Sequence, residues 1–169
     1  MEQGENKKTN TKENLKLFVK NNLTKIILFL ILIIIIIASF FIWKEYQNKK
    51  DLLISEKYIK AGILLGNGDD ESATNYYKEI ILSKNKFYSV LALNTILEKN
   101  LIEDNIELLS LFEKLEKLNL DKENTDLIIF KKALYFSKIN EVEKSKILLN
   151  KLINQNSNFK ELAINLLEN

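Results

Sequence analysis

Residues Ile26 to Trp43 read IILFLILIIIIIASFFIW. The eighteen positions carry no charge, and Ser39 holds their only hydroxyl. As a helix rising about 1.5 Å per residue they cover roughly 27 Å, close to the hydrocarbon thickness of a bilayer. Fifteen are Ile, Leu or Phe. At about −0.3 to −0.6 kcal/mol each on an insertion scale, these total roughly −5 to −9 kcal/mol. A buried core helix is a poor alternative, because the stretch has no polar face and a small domain has too little mass to surround it. A cleaved signal peptide fits no better: Ala38-Ser39-Phe40 runs into bulky Phe41, Ile42 and Trp43 where small residues are needed. The stretch is therefore expected to be a retained transmembrane helix. Trp43 and Tyr46 would sit at an aromatic interface, and Lys25 and Lys44 would snorkel to the headgroups.

Working outward, residues 1–25 form a basic tail of six Lys against three Glu. Met1 to Asn14 is polar and reads as disordered. Leu15, Phe18, Val19 and Leu23 then recur at helical spacing between Lys16, Lys20 and Lys25. That pattern is either an amphipathic helix lying on the membrane surface or the first turns of the membrane helix. A short basic tail ahead of a signal-anchor is expected to stay in the cytoplasm, sending the long C-terminal part across. The lysine balance near the span is nevertheless close, six upstream against five downstream.

Residues 44–169 hold nineteen Lys and twenty acids. A near-neutral domain is no electrostatic trap for nucleic acid. All 25 basic residues are Lys, so the bidentate reader of phosphate and guanine is missing. With no His and no Cys, the sequence excludes histidine acid–base chemistry, Ser-His-Asp and Cys-His nucleophiles, zinc sites built on N or S ligands, and disulfides. The expectation is a protein that is not an enzyme and needs no cofactor or metal. The abundance of Ile, Asn and Lys reads as coding bias, which discounts individual Lys and Asn choices.

After the span the periodicity is helical throughout. A first helix is expected to run to about Leu65, where Gly66-Asn67-Gly68-Asp69-Asp70 ends it and caps the next. Further helices are expected over Glu71–Ser83, Lys86–Lys99, from Asp104 with Glu107 as a capping box, and over Thr125–Ile139 after a polar break from Asn119 to Asp126. Two more open on Asn140 with Glu143 and Asn158 with Glu161. The fold class is all-α: one N-terminal transmembrane helix followed by about seven helices, arranged as three pairs plus a capping helix. The pairs repeat. Ala73/Tyr77, Leu108/Phe112 and Ser145/Leu149 stand 35 and 37 residues apart, near the 34-residue tetratricopeptide period. Ala61 and Ala133 precede the first and third of these pairs by twelve residues, and Ile96 takes that place in the middle pair.

The basic lead-in Asn14-Leu15-Lys16-Leu17-Phe18-Val19-Lys20-Asn21, the single span, Ser55-x-x-Tyr58-x-x-Ala61, Gly68-Asp69 with Ala73 and Tyr77, Phe87-Tyr88-x-x-Leu91-Ala92, and the closing Phe159-Lys160-Glu161-Leu162-Ala163 resemble the tetratricopeptide-like proteins of the bacterial inner membrane related to YfgM, an ancillary subunit of the SecYEG translocon. The resemblance implies a cytoplasmic tail, a span at residues 26–43 in the lipid bilayer, and a periplasmic repeat domain contacting the translocon and periplasmic chaperones. The expected function is a membrane-anchored adaptor for proteins. The alternative is a scaffold of an envelope complex acting through self-association.

By the repeat register, Tyr58, Leu93 and Phe130 would line a concave groove suited to an extended peptide or a partner helix, unless the last helix fills it. Asp69-Asp70-Glu71 offers carboxylates for a hard cation, but adjacent acids after glycine more often cap a helix. Gly66-x-Gly68 lacks both the preceding strand and the following Lys-Ser/Thr of a phosphate loop.

Overall fold

The computed structural model describes residues 3–168, with side chains from Glu13 onward except that of Leu15. Among them are seven α-helices and no strand: α1 (Gln3–Gly66), α2 (Asp70–Leu82), α3 (Lys86–Lys99), α4 (Asn105–Glu116), α5 (Lys122–Lys138), α6 (Val142–Asn154) and α7 (Lys160–Glu168). The chain divides into two compact units, Met1–Lys50 and Asp51–Asn169.

In the first unit the apolar stretch is helical. Its 18-residue window has a mean hydropathy of 3.4 with none of it buried, so it is long and apolar enough to cross a membrane. Ser39 turns its hydroxyl back onto the Ile35 carbonyl at 2.8 Å, so its donor is spent within the helix. The helix departs from regular geometry at Asn22, with φ −117° and ψ 15°. There the Asn22 amide donates to the Phe18 carbonyl at 3.0 Å, and a side chain intruding on the ladder is a recognised cause of a kink. The polar segment expected to be disordered is helical from Gln3. Lys, Glu and Gln are good helix formers, and no proline interrupts them. Of the four apolar positions in the lead-in, the Leu15 side chain lies outside the described residues.

The second unit owes its boundaries to caps. Asp69, Asn85, Asp104 and Asp121 each accept a hydrogen bond from a backbone N–H two or three residues on, at 2.8 to 3.1 Å. Such caps satisfy donors that the first turn leaves free. Asp121 therefore starts α5 at Lys122, three residues ahead of the expected Thr125, and shortens the polar break. The expected boxes are only partly made. The Glu107 carboxylate takes Lys78 Nζ at 2.8 Å, on a neighbouring helix. Asn140 (φ 61°) closes α5 and does not open α6, whose N-cap Glu141 makes no side-chain cap bond. At α7 it is Ser157, not Asn158, whose hydroxyl accepts from the Phe159 N–H, at 3.2 Å.

Four helices end in one way. After α1, α3, α5 and α6 a left-handed residue follows the last turn: Gly68, Asn100, Asn140 and Asn156. The next N–H then reaches five residues back, from Asp69 to Leu64, Leu101 to Ile96, Glu141 to Phe136 and Ser157 to Leu152, at 2.8 to 3.0 Å. This is the Schellman arrangement, which satisfies carbonyls the helix end would orphan. Three of the four left-handed residues are asparagines, so the Asn choices discounted as compositional do carry a structural message here.

Two clusters form the core. The first joins the last turns of α1 to α2, α3, α4 and one face of α5, around Tyr77, Leu93, Phe112, Leu115 and Ile128. The second joins the other face of α5 to α6 and α7, around Ile129, Ala133, Leu149, Leu152 and Ala163. All the spaced positions of the three pairs (Ala61, Ala73, Tyr77, Ile96, Leu108, Phe112, Ala133, Ser145, Leu149) are buried. The small residue at 145 has a second use: its hydroxyl donates to the Ala133 carbonyl at 2.8 Å, tying α6 to α5 where the helices approach closely.

Candidate functional site

α3 is covered on several sides, and Ser89, Val90, Ala92, Leu93 and Ile96 are all buried. The C-terminal turn of α3 nevertheless leaves an opening toward α5. Ile96, Leu97, Glu98 and Asn100 of α3, Ile102 and Leu108, and Lys131, Leu134, Tyr135 and Lys138 of α5 line a cleft of about 230 Å³. Its floor is apolar, since Ile96 and Leu108 are buried. Leu134 projects at the rim, 39% exposed.

Polar groups ring this floor. Lys131 Nζ stands 3.4 Å from Glu98 Oε1. Lys138 Nζ donates to Asn100 Oδ1, and the Tyr135 hydroxyl donates to Asn105 Oδ1. Burial, then the charge of Asp104, raises the Tyr135 pKa above its ordinary value, so the phenol is a neutral donor and acceptor at physiological pH. Lys131, Leu134 and Lys138 recur at helical spacing along one face of α5, which presents cation, apolar group and cation in line. The arrangement holds no nucleophile beside a base. What it can do is seat an apolar side chain on the floor while rim donors meet backbone carbonyls or carboxylates.

The groove expected at Tyr58, Leu93 and Phe130 is not what these residues form. Leu93 has no accessible surface and belongs to the core, because α2 and α4 both pack on α3. Tyr58 is half-buried in an aromatic cluster, with ring centroids 5.6 Å from Tyr77 and 5.7 Å from Tyr88. Its hydroxyl meets Thr95 Oγ1 at 3.2 Å. Burial, then the neighbouring Tyr58, raises the Tyr77 pKa. Phe130 stacks on Phe159, which precedes α7, with centroids 5.0 Å apart. Asp69 is a helix cap. Among the described residues no group of three or more acids is placed to hold a metal ion.

The cleft residues Leu97, Lys131, Tyr135 and Lys138 were not legible as a site. One signal for them did exist: Leu134 stands on the side of α5 away from Ile129, Ala133 and Phe136, flanked by lysines. In comparisons with known proteins, no family model matches the chain, no curated protein matches it, and no solved structure matches it.

Proposed function

We propose that this chain is a membrane-anchored helical adaptor, holding a peptide-binding domain at a bilayer surface. The observation that carries the reading is that the apolar stretch of α1 is wholly unburied, while the second unit buries an apolar core of its own. A stretch with no polar face that is unburied needs lipid, and a domain whose core is built from residues beyond Lys50 needs nothing from that stretch.

In this reading the cleft between α3 and α5 takes an extended peptide, with an apolar side chain over Leu108 and polar groups toward Lys131 and Lys138. Anchoring raises the domain's effective concentration for partners at the same membrane, so modest affinity is sufficient. The paired, regularly spaced buried positions favour a tetratricopeptide-like arrangement. Taken with the layout of tail, span and repeat domain, they favour a bacterial inner-membrane location, a cytoplasmic tail and clients near a translocon or its chaperones.

The test is a photo-crosslinking amino acid placed at Leu134, with Ile147 on α6 as the control. Defined adducts at 134 that are absent at 147, and lost in Lys131→Glu with Lys138→Glu, support the reading. Equal adducts at both positions refute it. A reporter fused after Asn169 fixes the side of the membrane.

A second reading rests on a different face. Leu52, Ile59 and Ile63, on the last turns of α1, are 58–60% exposed. Self-association through this face would make the chain a scaffold, and native mass in mild detergent separates that state from a monomeric adaptor.

A further inference from the structure

Within the first unit the helix changes character at Asn22. Beyond it lies the uncharged stretch. Before it, Phe18 and Val19 are neighbours on the helix, with Lys16 and Lys20 one turn apart on the side beyond Val19; Leu23 follows just past the break. Phe18 is 63% and Val19 40% exposed, and Leu17, on the other flank of the helix, is 57% exposed. Asn22 falls on the side of Phe18 and Val19, yet its amide is turned in on the Phe18 carbonyl, which lets a polar residue sit among apolar ones. In the sequence the four-residue lysine spacing continues back through Lys12 and Lys8.

We infer that Asn22 is a built-in hinge, and that the helix before it lies on a membrane surface bearing anionic headgroups, as a second, electrostatic anchor. The inference rests on the anchor reading, since the stretch from Ile26 must already be in lipid. Three observations argue for this occupant over a protein partner. The break comes four residues before Ile26, so a bilayer holding that stretch would place its headgroups beside the hinge. Phe18 and Val19 are exposed apolar neighbours with Lys16 and Lys20 on the side of the helix beyond Val19, an arrangement that lets the apolar side sink to the level between headgroups and acyl chains while the cations reach the phosphates. The tail carries six lysines against three glutamates, which complements an anionic leaflet.

The chain has no cysteine, so a single introduced one takes a nitroxide label cleanly. Val19→Cys samples the apolar side, Asn21→Cys the opposite side and Ile34→Cys the middle of the apolar stretch. The full chain is reconstituted in vesicles of phosphatidylglycerol and phosphatidylcholine in equal parts. Collision with oxygen, which concentrates in lipid, is then compared with collision with a water-soluble nickel chelate. The expected result is a deep label at 34 and an oxygen-to-nickel ratio severalfold higher at 19 than at 21. In vesicles of phosphatidylcholine alone, and in Lys16→Gln with Lys20→Gln, the label at 19 should move toward water. In Asn22→Leu, which removes the intruding side chain, the contrast between 19 and 21 should collapse.

A deep label at 34 with equal ratios at 19 and 21 overturns the surface-lying helix and leaves the anchor standing. A water-exposed label at 34 removes the anchor reading itself. A contrast indifferent to phosphatidylglycerol rejects the anionic surface, and one that survives in Asn22→Leu rejects the hinge.

Discussion

Isoleucine meets opposite fates in the two units. Ile33 to Ile37 are 37–64% exposed, whereas Ile80 and Ile81 of α2 are 0% and 2% exposed. The difference lies in what surrounds them in sequence. In α2 the pair follows Lys78 and Glu79, so one side of the helix can face water while the other meets its neighbours. In the stretch from Ile26 no rotation offers water a polar side, and no other helix of its unit is there to cover it. Hydrophobicity sets the wish to leave water, and its arrangement around the helix decides whether protein or lipid can grant it.

The sharpest way to break this contrast is to put charges in the stretch. Ile31→Lys, Ile34→Lys and Ile37→Lys together should cost about 7.5–10 kcal/mol, about the whole insertion energy of the stretch. The chain should leave the carbonate-resistant membrane fraction while the melting of its helical domain in detergent stays where it was. Release without a change in melting supports two units with separate sources of order. A stretch that tolerates lysine with full membrane retention would count against the anchor.

The converse break leaves the membrane alone. Phe112 is fully buried on α4, with its ring 6.1 Å from that of Tyr135 on α5. Truncation to alanine leaves a cavity at the centre of the first cluster, and Phe112→Ala should destabilise the domain by about 3–5 kcal/mol. Thermal denaturation followed by circular dichroism in detergent measures this loss, and membrane fractionation should be unchanged. A loss below about 1 kcal/mol would mean that the cluster collapses around the gap or contributes little to order.

The contrast also explains what was legible in the sequence. Helix register was, because it depends on local spacing: α3 begins and ends at the expected Lys86 and Lys99, although the membrane stretch and the first helix after it are one helix, α1, followed by six and not about seven. The spaced small and large residues were also legible, because close helix packing leaves a periodic trace. The helix ends were less so. Asn100, Asn140 and Asn156 are chosen for a left-handed backbone, and in a chain full of asparagine that purpose is hidden by composition. The site was least legible. Leu93 looked like a groove residue because its register can be read without knowing that α2 and α4 close over α3. The cleft beside Leu134 depends on which turn of α3 comes to face α5, and no local pattern records that.

Lys84 sharpens the point about helix ends. It follows α2 with φ 62°, the left-handed region that disfavours a side chain with a Cβ. Lys84→Gly should stabilise the domain by about 0.5–1 kcal/mol, the relief of strain being partly offset by glycine's freedom in the unfolded chain. The same exchange at Asn140 should gain less, because asparagine tolerates this region. Equal gains at the two positions would show that the asparagines were not selected for their backbone.

The smallest expected effect separates a cap's charge from its geometry. Asp121 is exposed, and its pKa lies below the usual carboxylate value because the Asn124 backbone N–H and then the Asn124 side chain donate to its ionised form. A carboxylate depressed in the folded state adds stability above its unfolded pKa and loses it as pH falls through the folded value. Asp121→Asn keeps an acceptor in the capping position but cannot titrate. At neutral pH the wild-type chain should melt slightly higher than this variant. As pH drops through and below the ordinary aspartate range the gap should close, the wild type losing what the variant never had. Melting temperatures of both chains across that range decide it, and a gap constant with pH would assign the start of α5 to hydrogen-bond geometry alone.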